Sequence, residues 1–378
     1  MSRAAAALIV RLAATLLPPG MKGWGQAMRC EAEALAPGEA LPFALGCLGA
    51  ALREAATFHL LRPLPQPEPG THAMSLESAL LGRPRRVTAL CAVAATGLGL
   101  SYMSLGGAPA RYLAMNTGAL ILGLLITSGI LWSARTSRIA PGAISLALGI
   151  ALLLTSLFGA SVEGATRWIA ISNISIQPSL ILLPMMVIGF ARTRDWLSTA
   201  AIAVAALALA LQPDRAMSGS LAAGVAALAL FRPERTVLTA LATALAGFAT
   251  AMLRPDTQGA MPYVDQILYS SFDIHPLAGA CVLAGAALML VPALIGVRHD
   301  PARREVHAVF GAVWFAVLAA AALGNYPTPL VGYGGSAIIG YLFSLIALPS
   351  RAAPANAGAS DAVRPDETDH QLLRIALT

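Results

Sequence analysis

The sequence predicts an all-α polytopic membrane protein with about ten transmembrane helices. Of its 378 residues, 57% are hydrophobic and only 12% are charged, and the mean hydropathy is +0.70. A soluble domain of this length cannot bury so much apolar surface, so the solvent of this chain must be lipid. The apolar stretches are continuous and rich in Ala and Leu, whereas the strands of a membrane barrel would alternate polar and apolar residues. The expected architecture is therefore a bundle of helices.

Ten apolar stretches are candidates for membrane spans, because about 20 apolar residues cross the hydrocarbon core as a helix. In chain order they cover residues 87–107, 113–132, 142–159, 176–191, 196–211, 217–231, 236–253, 272–297, 306–324 and 333–349. Several of these stretches are short, and the pair between 196 and 231 is also compatible with one broken unit.

Arginine predicts the orientation of the bundle. The loops on the side of both termini hold thirteen arginines, Arg83, Arg85, Arg86, Arg135, Arg138, Arg192, Arg194, Arg232, Arg235, Arg298, Arg303, Arg304 and Arg351. The opposite loops hold four, Arg111, Arg167, Arg215 and Arg254. This bias places both termini in the cytoplasm. The net charge of +6 is then explained by topology and by contact with membrane lipids, and such dispersed basic residues do not indicate a nucleic-acid partner.

Residues 1–82 are predicted to form a cytoplasmic amphipathic helical segment that ends in a Pro-rich linker. Arg11 interrupts the apolar run of residues 2–17, which favours an interfacial helix over a signal peptide. A second helix is expected at 24–35. The apolar stretch 40–52 has thirteen residues, too few to span the bilayer, so we expect a helical hairpin that rests on the membrane.

Two further segments are assigned by composition. Residues 63–70 (PLPQPEPG) are typical of a linker, and residues 351–378, rich in Ala, Pro and Asp, are expected to form a flexible cytoplasmic tail. Residues 83–350 remain as the transmembrane domain.

Neither the cysteines nor any nucleotide-binding motif in the sequence indicates a cofactor. Cys30 and Cys47 lie in the predicted cytoplasmic segment, while Cys91 and Cys281 lie inside spans, so no disulfide framework is expected. The sequence has no CxxC, no His pair with metal-ligand spacing, no GxxxxGK[ST], and no GxGxxG after a strand-like segment. No metal site is predicted.

The polar, irregular loops of the outer side indicate a site. They carry GATRW (164–168), QPD (212–214), RPDTQGAMPYVD (254–265) and YGGS (333–336). Apolar spans anchor a protein anywhere, whereas polar and Gly/Pro-rich loops gathered on one face are typical of a functional surface.

Individual residues of these loops allow two interpretations. Arg167 has a fork that matches phosphate oxygens and Trp168 a face that packs on a sugar or lipid, but the pair can equally be a snorkelling cation beside an aromatic-belt anchor. By themselves, these two residues favour the second interpretation. Asp214 can likewise be a plain cap of the helix that starts near Met217.

The loop 254–265 is the most site-like of the set, with three charges, a Tyr and two Pro residues. Asp265 lies directly before an apolar helix, where desolvation would raise the pKa of its carboxyl. The Pro/Gly-rich stretch 324–336 is tolerated at membrane depth only where protein or a water-filled cavity covers it, which predicts a structured re-entrant segment.

The motifs GATRW, QPS (177–179), QPD and PLVGYGGS (329–336), in this order in a ten-span chain, resemble the SEDS family (shape, elongation, division and sporulation proteins), typified by FtsW, RodA and SpoVE. The family pattern reads G-A-[KR]-R-W, Q-P-S-E, Q-P-D-x-G-[TS] and P-[FL]-[VI]-S-Y-G-G-S-S. The resemblance covers residues from about 85 to 350, and the first 80 residues have no counterpart in it.

The resemblance implies a SEDS-like bundle that acts as a peptidoglycan glycosyltransferase in cell division or cell elongation. Such proteins take a polyprenyl-pyrophosphate-linked disaccharide, lipid II, and polymerise it into glycan strands at the outer face of the bacterial plasma membrane. A single-span cell-wall transpeptidase is the implied protein partner, also on the resemblance alone.

The resemblance also implies residue roles. Asp265 takes the place of the family's essential aspartate, as a base for the acceptor hydroxyl, while Asp273 and Gly279 match a later acid and a Gly. Arg167, and alternatively Arg254 or a divalent cation, would offset the charge of the pyrophosphate. The residues implied in substrate binding are Arg167, Trp168, Gln177, Asp214, Arg254, Tyr333 and Ser336.

The sequence departs from the family pattern at its charged positions. Leu180 and Leu183 replace a Glu and a Lys, Thr166 replaces the first basic residue of G-A-[KR]-R-W, and Ala216 and Met217 replace the Gly and Thr after Q-P-D. The loop before Asp265 is short and lacks a Gly-rich element. Two alternatives therefore stay open beside an active enzyme: a degenerate scaffold that binds transpeptidases or lipid-linked precursor, and a transporter of such a precursor.

Overall fold

The computed structural model describes residues 2–17, 21–36, 38–61, 83–133, 140–162, 164–172, 174–254 and 258–350. The chain forms two compact units, Met1–His72 and Ala73–Thr378. The predicted linker 63–70 and tail 351–378 lie outside the described residues.

The described residues of the first unit form the helices α1 (Ser2–Leu16), α2 (Lys22–Ala34) and α3 (Ala40–Leu61). Small residues dominate its buried positions, which are Ala6, Val10, Ala13, Ala40, Ala44, Cys47 and Ala51. Helix α3 has 22 residues and extends beyond the apolar stretch 40–52, whose apolar part stays among the shorter apolar helices. The helix continues through Arg53 and Glu54 because both residues have high helix propensity.

The second unit confirms the all-α polytopic membrane fold. Its apolar helices are α4 (Pro84–Leu105), α5 (Ala110–Ser133), α6 (Pro141–Phe158), α7 (Pro178–Thr193), α8 (Trp196–Leu211), α9 (Arg215–Phe231), α10 (Arg235–Leu253), α12 (Pro276–His299), α13 (Arg304–Leu323) and α14 (Gly335–Ala347). Among the described residues, six helical stretches are able to cross a membrane by length and composition: α4, α5, α6, α10, α12 and Pro301–Leu323, which contains α13. The other four are shorter apolar helices. Within the described part of 83–350, an apolar helix occupies each predicted span.

The eighth predicted span, 272–297, is not one element. A separate helix α11 (Ile267–Ile274) precedes α12, and the two are divided at His275, whose backbone is extended with φ −167° and ψ 142°. Pro276 disfavours a helical conformation of the residue before it, which ends α11. The His275 Nδ1 then accepts a hydrogen bond from the Leu277 N–H at 3.0 Å and caps α12.

The loop between α6 and α7 was expected to be irregular. It instead forms a small antiparallel sheet. Its strands are β1 (Ala160–Val162), β2 (Ala165–Ile171) and β3 (Ile174–Ile176), with β2 in the centre. The β-branched and aromatic residues Thr166, Trp168, Ile169 and Ile171 of β2 favour this conformation. The sheet places GATRW on a fixed strand.

Several helices of the second unit approach each other closely. Helix α14 packs against α7 and against α5, and α12 packs against α4. At Gly340 of α14, an added Cβ would overlap the Leu180 carbonyl oxygen of α7 and would lie 3.0 Å from the Ile181 Cα. Such contacts through small residues are how helices associate in a membrane. They bring the N-terminal ends of α7 and α14, where QPS lies and where PLVGYGGS ends, to the same place.

We expect Gly340→Ala to destabilise the protein by about 1–3 kcal/mol, because backbone atoms of α7 cannot move aside as a flexible side chain would. Thermal unfolding of the purified protein in detergent measures this loss. Gly189→Ala in α7 is the matched control, since no atom lies within 4 Å of its added Cβ. Equal midpoints for the two variants would contradict the close contact.

Candidate functional site

Asp214 caps helix α9 and also joins it to α7. Its Oδ1 accepts a hydrogen bond from the Met217 N–H at 3.1 Å, so the interpretation as a helix cap is confirmed. Its Oδ2 accepts bonds from Gln177 Nε2 at 3.1 Å and from Ser179 Oγ at 3.0 Å. The carboxylate is buried and is therefore committed to structure on both oxygens.

Gln177 extends this network to α14. Its backbone N–H donates to the Ser336 Oγ at 3.0 Å, while its side chain donates to Asp214 and to Ser179. Gln177 directly precedes α7 and Ser336 lies in the first turn of α14. One buried residue thus connects the starts of three helices.

Arg167 holds the turn between α8 and α9. The pleat of β2 turns Ala165 and Arg167 inward, and the Arg167 Nε and Nη2 donate to the carbonyl oxygens of Gln212 at 3.3 Å and Pro213 at 2.6 Å. Arg167 is 3% exposed, so the interpretation as a snorkelling side chain is wrong. Its guanidinium carbon lies 5.9 Å from the centroid of the half-buried Trp168 ring, within cation–π range.

Arg254 is exposed and binds the end of α8, directly before this turn. Its Nη1 donates to the carbonyl oxygens of Ala210 at 3.1 Å and Leu211 at 2.9 Å. These are the last carbonyls of α8, where the helix dipole is negative and cations are stabilised. Arg215 Nη2 in turn donates to the Arg254 carbonyl oxygen. Two predicted site arginines therefore bind the four consecutive carbonyls of residues 210–213, directly before Asp214.

Asp265 lies in the irregular loop before α11 and is 9% exposed. Its Oδ2 accepts the Met261 N–H at 2.9 Å, and no donor among the described residues reaches Oδ1. Burial raises the pKa of the carboxyl and the Met261 N–H partly opposes this effect. The direction of the pKa shift agrees with the prediction, and within the described part of the chain Oδ1 is able to accept a proton.

The loop of Asp265 pairs with the segment before α14. The Thr328 N–H donates to the Val264 carbonyl oxygen at 3.0 Å, and the Tyr333 N–H donates to the Tyr263 carbonyl oxygen at 2.6 Å. Because the two carbonyl groups directly before Asp265 are hydrogen-bonded to this segment, the aspartate has a defined position.

Residues 328–332 are buried although they form no regular secondary structure. Val331 sits between two helices at glycines: a Cβ on Gly99 of α4 would lie 2.6 Å from the Val331 Cα, and one on Gly285 of α12 would overlap its side chain. The segment is thus covered by protein, which is the condition expected for an irregular re-entrant segment.

Aromatic rings surround this pair of segments. The rings of Tyr112 and Tyr333 stack with centroids 3.8 Å apart and an interplanar angle of 11°. Tyr263 meets Tyr112 edge-on at 6.2 Å, and its hydroxyl donates to the Gly106 carbonyl oxygen. Tyr333 therefore contacts the Asp265 loop through its backbone and the start of α5 through its ring.

The predicted site residues fall into two connected groups. Gln177, Asp214 and Ser336 share one hydrogen-bonded network, and Arg167, with Trp168 beside it, and Arg254 hold the carbonyls just before Asp214. Asp265 and Tyr333 form the second group. The segment that ends in Tyr333 and Ser336 connects the two groups, because Tyr333 bonds the Asp265 loop and Ser336 accepts from Gln177.

Residues without a predicted role also belong to the site. Asn116 binds the main chain around Tyr333, and the Gln212 Nε2 donates to the Leu152 carbonyl oxygen at 3.0 Å. A signal for Asn116 was present in the sequence: it is the one amide side chain of residues 110–133, and polar residues in apolar spans commonly mark functional positions.

The positions that depart from the family pattern have structural roles here. Leu180 and Leu183 are buried in the main hydrophobic core, and the Thr166 Oγ1 donates to the Ser156 carbonyl oxygen at 2.9 Å. Asp273 is exposed. At Gly279 an added Cβ would overlap the Phe272 ring, so this Gly lets α11 pack on α12.

Across the described residues, no three His, Cys, Asp or Glu side chains are grouped to hold a metal ion. Divalent cations such as Mg²⁺ need several oxygen ligands in fixed geometry. The described residues therefore do not fit a cation held by the protein alone.

No family model matches the chain, and no curated protein sequence does either. Among solved structures, the chain is similar to the rod shape determining protein RodA of Thermus thermophilus, with 21% identity, coverage of 68% of this chain and 93% of that chain, and a TM-score of 0.49. It is also similar to an aspartate-to-alanine mutant of that protein, with 22% identity, coverage of 68% and 94%, and a TM-score of 0.49. RodA belongs to the SEDS family, whose motifs the outer loops resemble.

Proposed function

We propose that the chain is a peptidoglycan glycosyltransferase that polymerises lipid II into glycan strands at the outer face of a bacterial plasma membrane, with both of its termini in the cytoplasm. The observation that carries the proposal is the Asp265 carboxylate: it is mostly buried, its pKa is raised by desolvation, and its Oδ1 has no donor among the described residues. This is the state expected of a general base.

In the proposed reaction, Asp265 accepts the proton of the acceptor sugar hydroxyl through Oδ1. The hydroxyl oxygen then forms a bond to the anomeric carbon of the donor sugar, while the bond from that carbon to the pyrophosphate breaks. The electron pair leaves with the polyprenyl pyrophosphate. Proton transfer to a positioned base contributes about 10²- to 10⁴-fold to such a rate.

Positive charge for the leaving pyrophosphate is assigned to Arg254 rather than to Arg167. Arg254 is exposed, and within the described ranges its Nη1 is the atom that donates to protein. Arg167 is buried against main-chain carbonyls, which suits a role in ordering the turn. A guanidinium beside the low-dielectric bilayer stabilises developing charge more than one in water.

Lipid II polymerisation by the purified protein, alone and with its single-span transpeptidase, tests this function beside an Asp265→Ala variant. Glycan strands from the wild type and none from the variant are expected. A folded, transpeptidase-bound wild type that makes no strands under either condition would refute the enzymatic function.

A second candidate, a membrane scaffold without catalysis, is favoured by one observation. The two positions where the family has a Glu and a Lys are leucines within the hydrophobic core, so charges that could handle the donor are absent from α7 at these positions. A wild type that binds the transpeptidase or lipid II but forms no strands would identify the scaffold.

A further inference from the structure

Asn116 lies in α5 with its side chain fully buried. Its Nδ2 donates to the Gly332 carbonyl oxygen at 2.8 Å, and its Oδ1 accepts from the Gly334 N–H at 3.1 Å. A single amide thereby bonds the main chain on both sides of Tyr333.

Tyr333, whose two flanking peptide groups bind Asn116, also holds the Asp265 loop. The Tyr333 N–H donates to the Tyr263 carbonyl oxygen at 2.6 Å, two residues before Asp265. Tyr112 lies one helical turn before Asn116 and stacks its ring on Tyr333 at 3.8 Å. Helix α5 therefore holds Tyr333 by its ring and by both neighbouring peptide groups.

An amide in an apolar span needs a specific role. Burying an amide without hydrogen-bond partners would cost several kcal/mol in lipid. An apolar residue would pack between helices without this cost. Both hydrogen-bonding atoms of Asn116 reach the irregular segment, not a neighbouring helix. The side chain is therefore matched to the backbone of residues 332–334.

We propose that Asn116 is a positioning residue, which fixes the turn at 332–334 and, through Tyr333, the loop that carries Asp265. The catalytic part of this inference rests on the proposed function of Asp265, whereas the structural part is open to test without it.

Four full-length proteins in detergent test the proposal: wild type, Asn116→Leu, Asn116→Asp and Thr127→Val. Thr127 is a matched control because it is a buried polar residue of the same helix whose Oγ1 has no partner among the described residues. The measurements are kcat and KM for lipid II polymerisation, the pH profile of the rate, and amide hydrogen exchange of peptides that cover 328–333.

Asn116→Leu should lower kcat about 10- to 100-fold with little change in KM, because a small misplacement of a catalytic group costs rate rather than binding. The acidic limb of its pH profile should move to lower pH, since a loosened loop rehydrates Asp265. Exchange at 328–333 should become faster. Asn116→Asp, which keeps the acceptor for the Gly334 N–H, should fall between Asn116→Leu and wild type.

Wild-type kcat and wild-type exchange in Asn116→Leu would overturn the proposal, and so would an equal loss in Thr127→Val, which would show a general packing effect. If Asn116→Leu does not fold, Asn116→Asp decides by the same criteria. If the wild type forms no glycan strands, the proposed function fails, and amide exchange alone still decides whether Asn116 holds the segment 328–333.

Discussion

Replacing Asp265 with asparagine should lower the rate of glycan polymerisation about 10²- to 10⁴-fold, the usual contribution of a positioned general base. The amide keeps the size of the side chain and can still accept the Met261 N–H that now binds Oδ2. The variant therefore removes the proton acceptor with little change in the loop. Initial rates with purified protein and lipid II, at saturating and subsaturating substrate, measure the loss.

Asp273→Asn is the matched control, because Asp273 is an exposed carboxylate eight positions later in the same region. It should keep a rate within a few-fold of wild type. If both substitutions reduce the rate alike, the effect is one of local charge and not of a base at Asp265.

The pH profile should identify the same group. Because burial raises the pKa of Asp265, the rate should fall with decreasing pH at a higher pH than an ordinary aspartate would give, as the base becomes protonated. Stability should change in the opposite direction. Because the pKa of Asp265 is raised in the folded state, the free energy of unfolding should decrease as pH rises through that pKa. An acidic limb that persists unchanged in the residual rate of Asp265→Asn would assign it to another group.

Replacing Arg167 with leucine should destabilise the protein by about 2–5 kcal/mol. The substitution leaves the carbonyls of Gln212 and Pro213 without their buried donor, and each orphaned buried acceptor costs about 1–3 kcal/mol. The turn that they form precedes Asp214, so the network of Gln177 and Ser336 should loosen too. Unfolding in detergent, by heat or denaturant, measures the loss.

Arg254→Ala provides the comparison, because Arg254 donates to the carbonyls of Ala210 and Leu211 from an exposed position. Water replaces an exposed donor, so the change in the free energy of unfolding should stay below about 1 kcal/mol. The proposed role of Arg254 instead predicts a loss of polymerisation rate. A smaller loss of stability for Arg167→Leu than for Arg254→Ala would contradict the buried clamp.

The helices of the second unit were predictable because their signals are local. Long apolar runs predicted the spans, and Pro84, Pro141 and Pro178 stand at the first position of helices that begin close to the expected residues. The break at Pro276 was missed, since hydropathy alone does not register the backbone restriction that a proline imposes on its neighbour.

The sequence indicated which residues belong to the candidate site better than it indicated which residues they contact. Asp214 was recognised as a helix cap from the helix that follows it, but its second oxygen binds Gln177 and Ser179, 37 and 35 residues away in the chain. The small sheet that turns Arg167 inward was not foreseen, because its strands are short and lie in what reads as a polar loop.

What the sequence by itself determined is the class of protein, the approximate place of the apolar helices within the described part of 83–350, and the loops that carry chemistry-bearing residues. These follow from composition and periodicity, which act over one helix or one loop. Only the tertiary structure decided the partners: Arg167 on a turn 45 residues away, and Asn116 on a segment 216 residues away. Such pairings depend on which helices pack together, and packing is set by the shapes of distant surfaces, which no local pattern records.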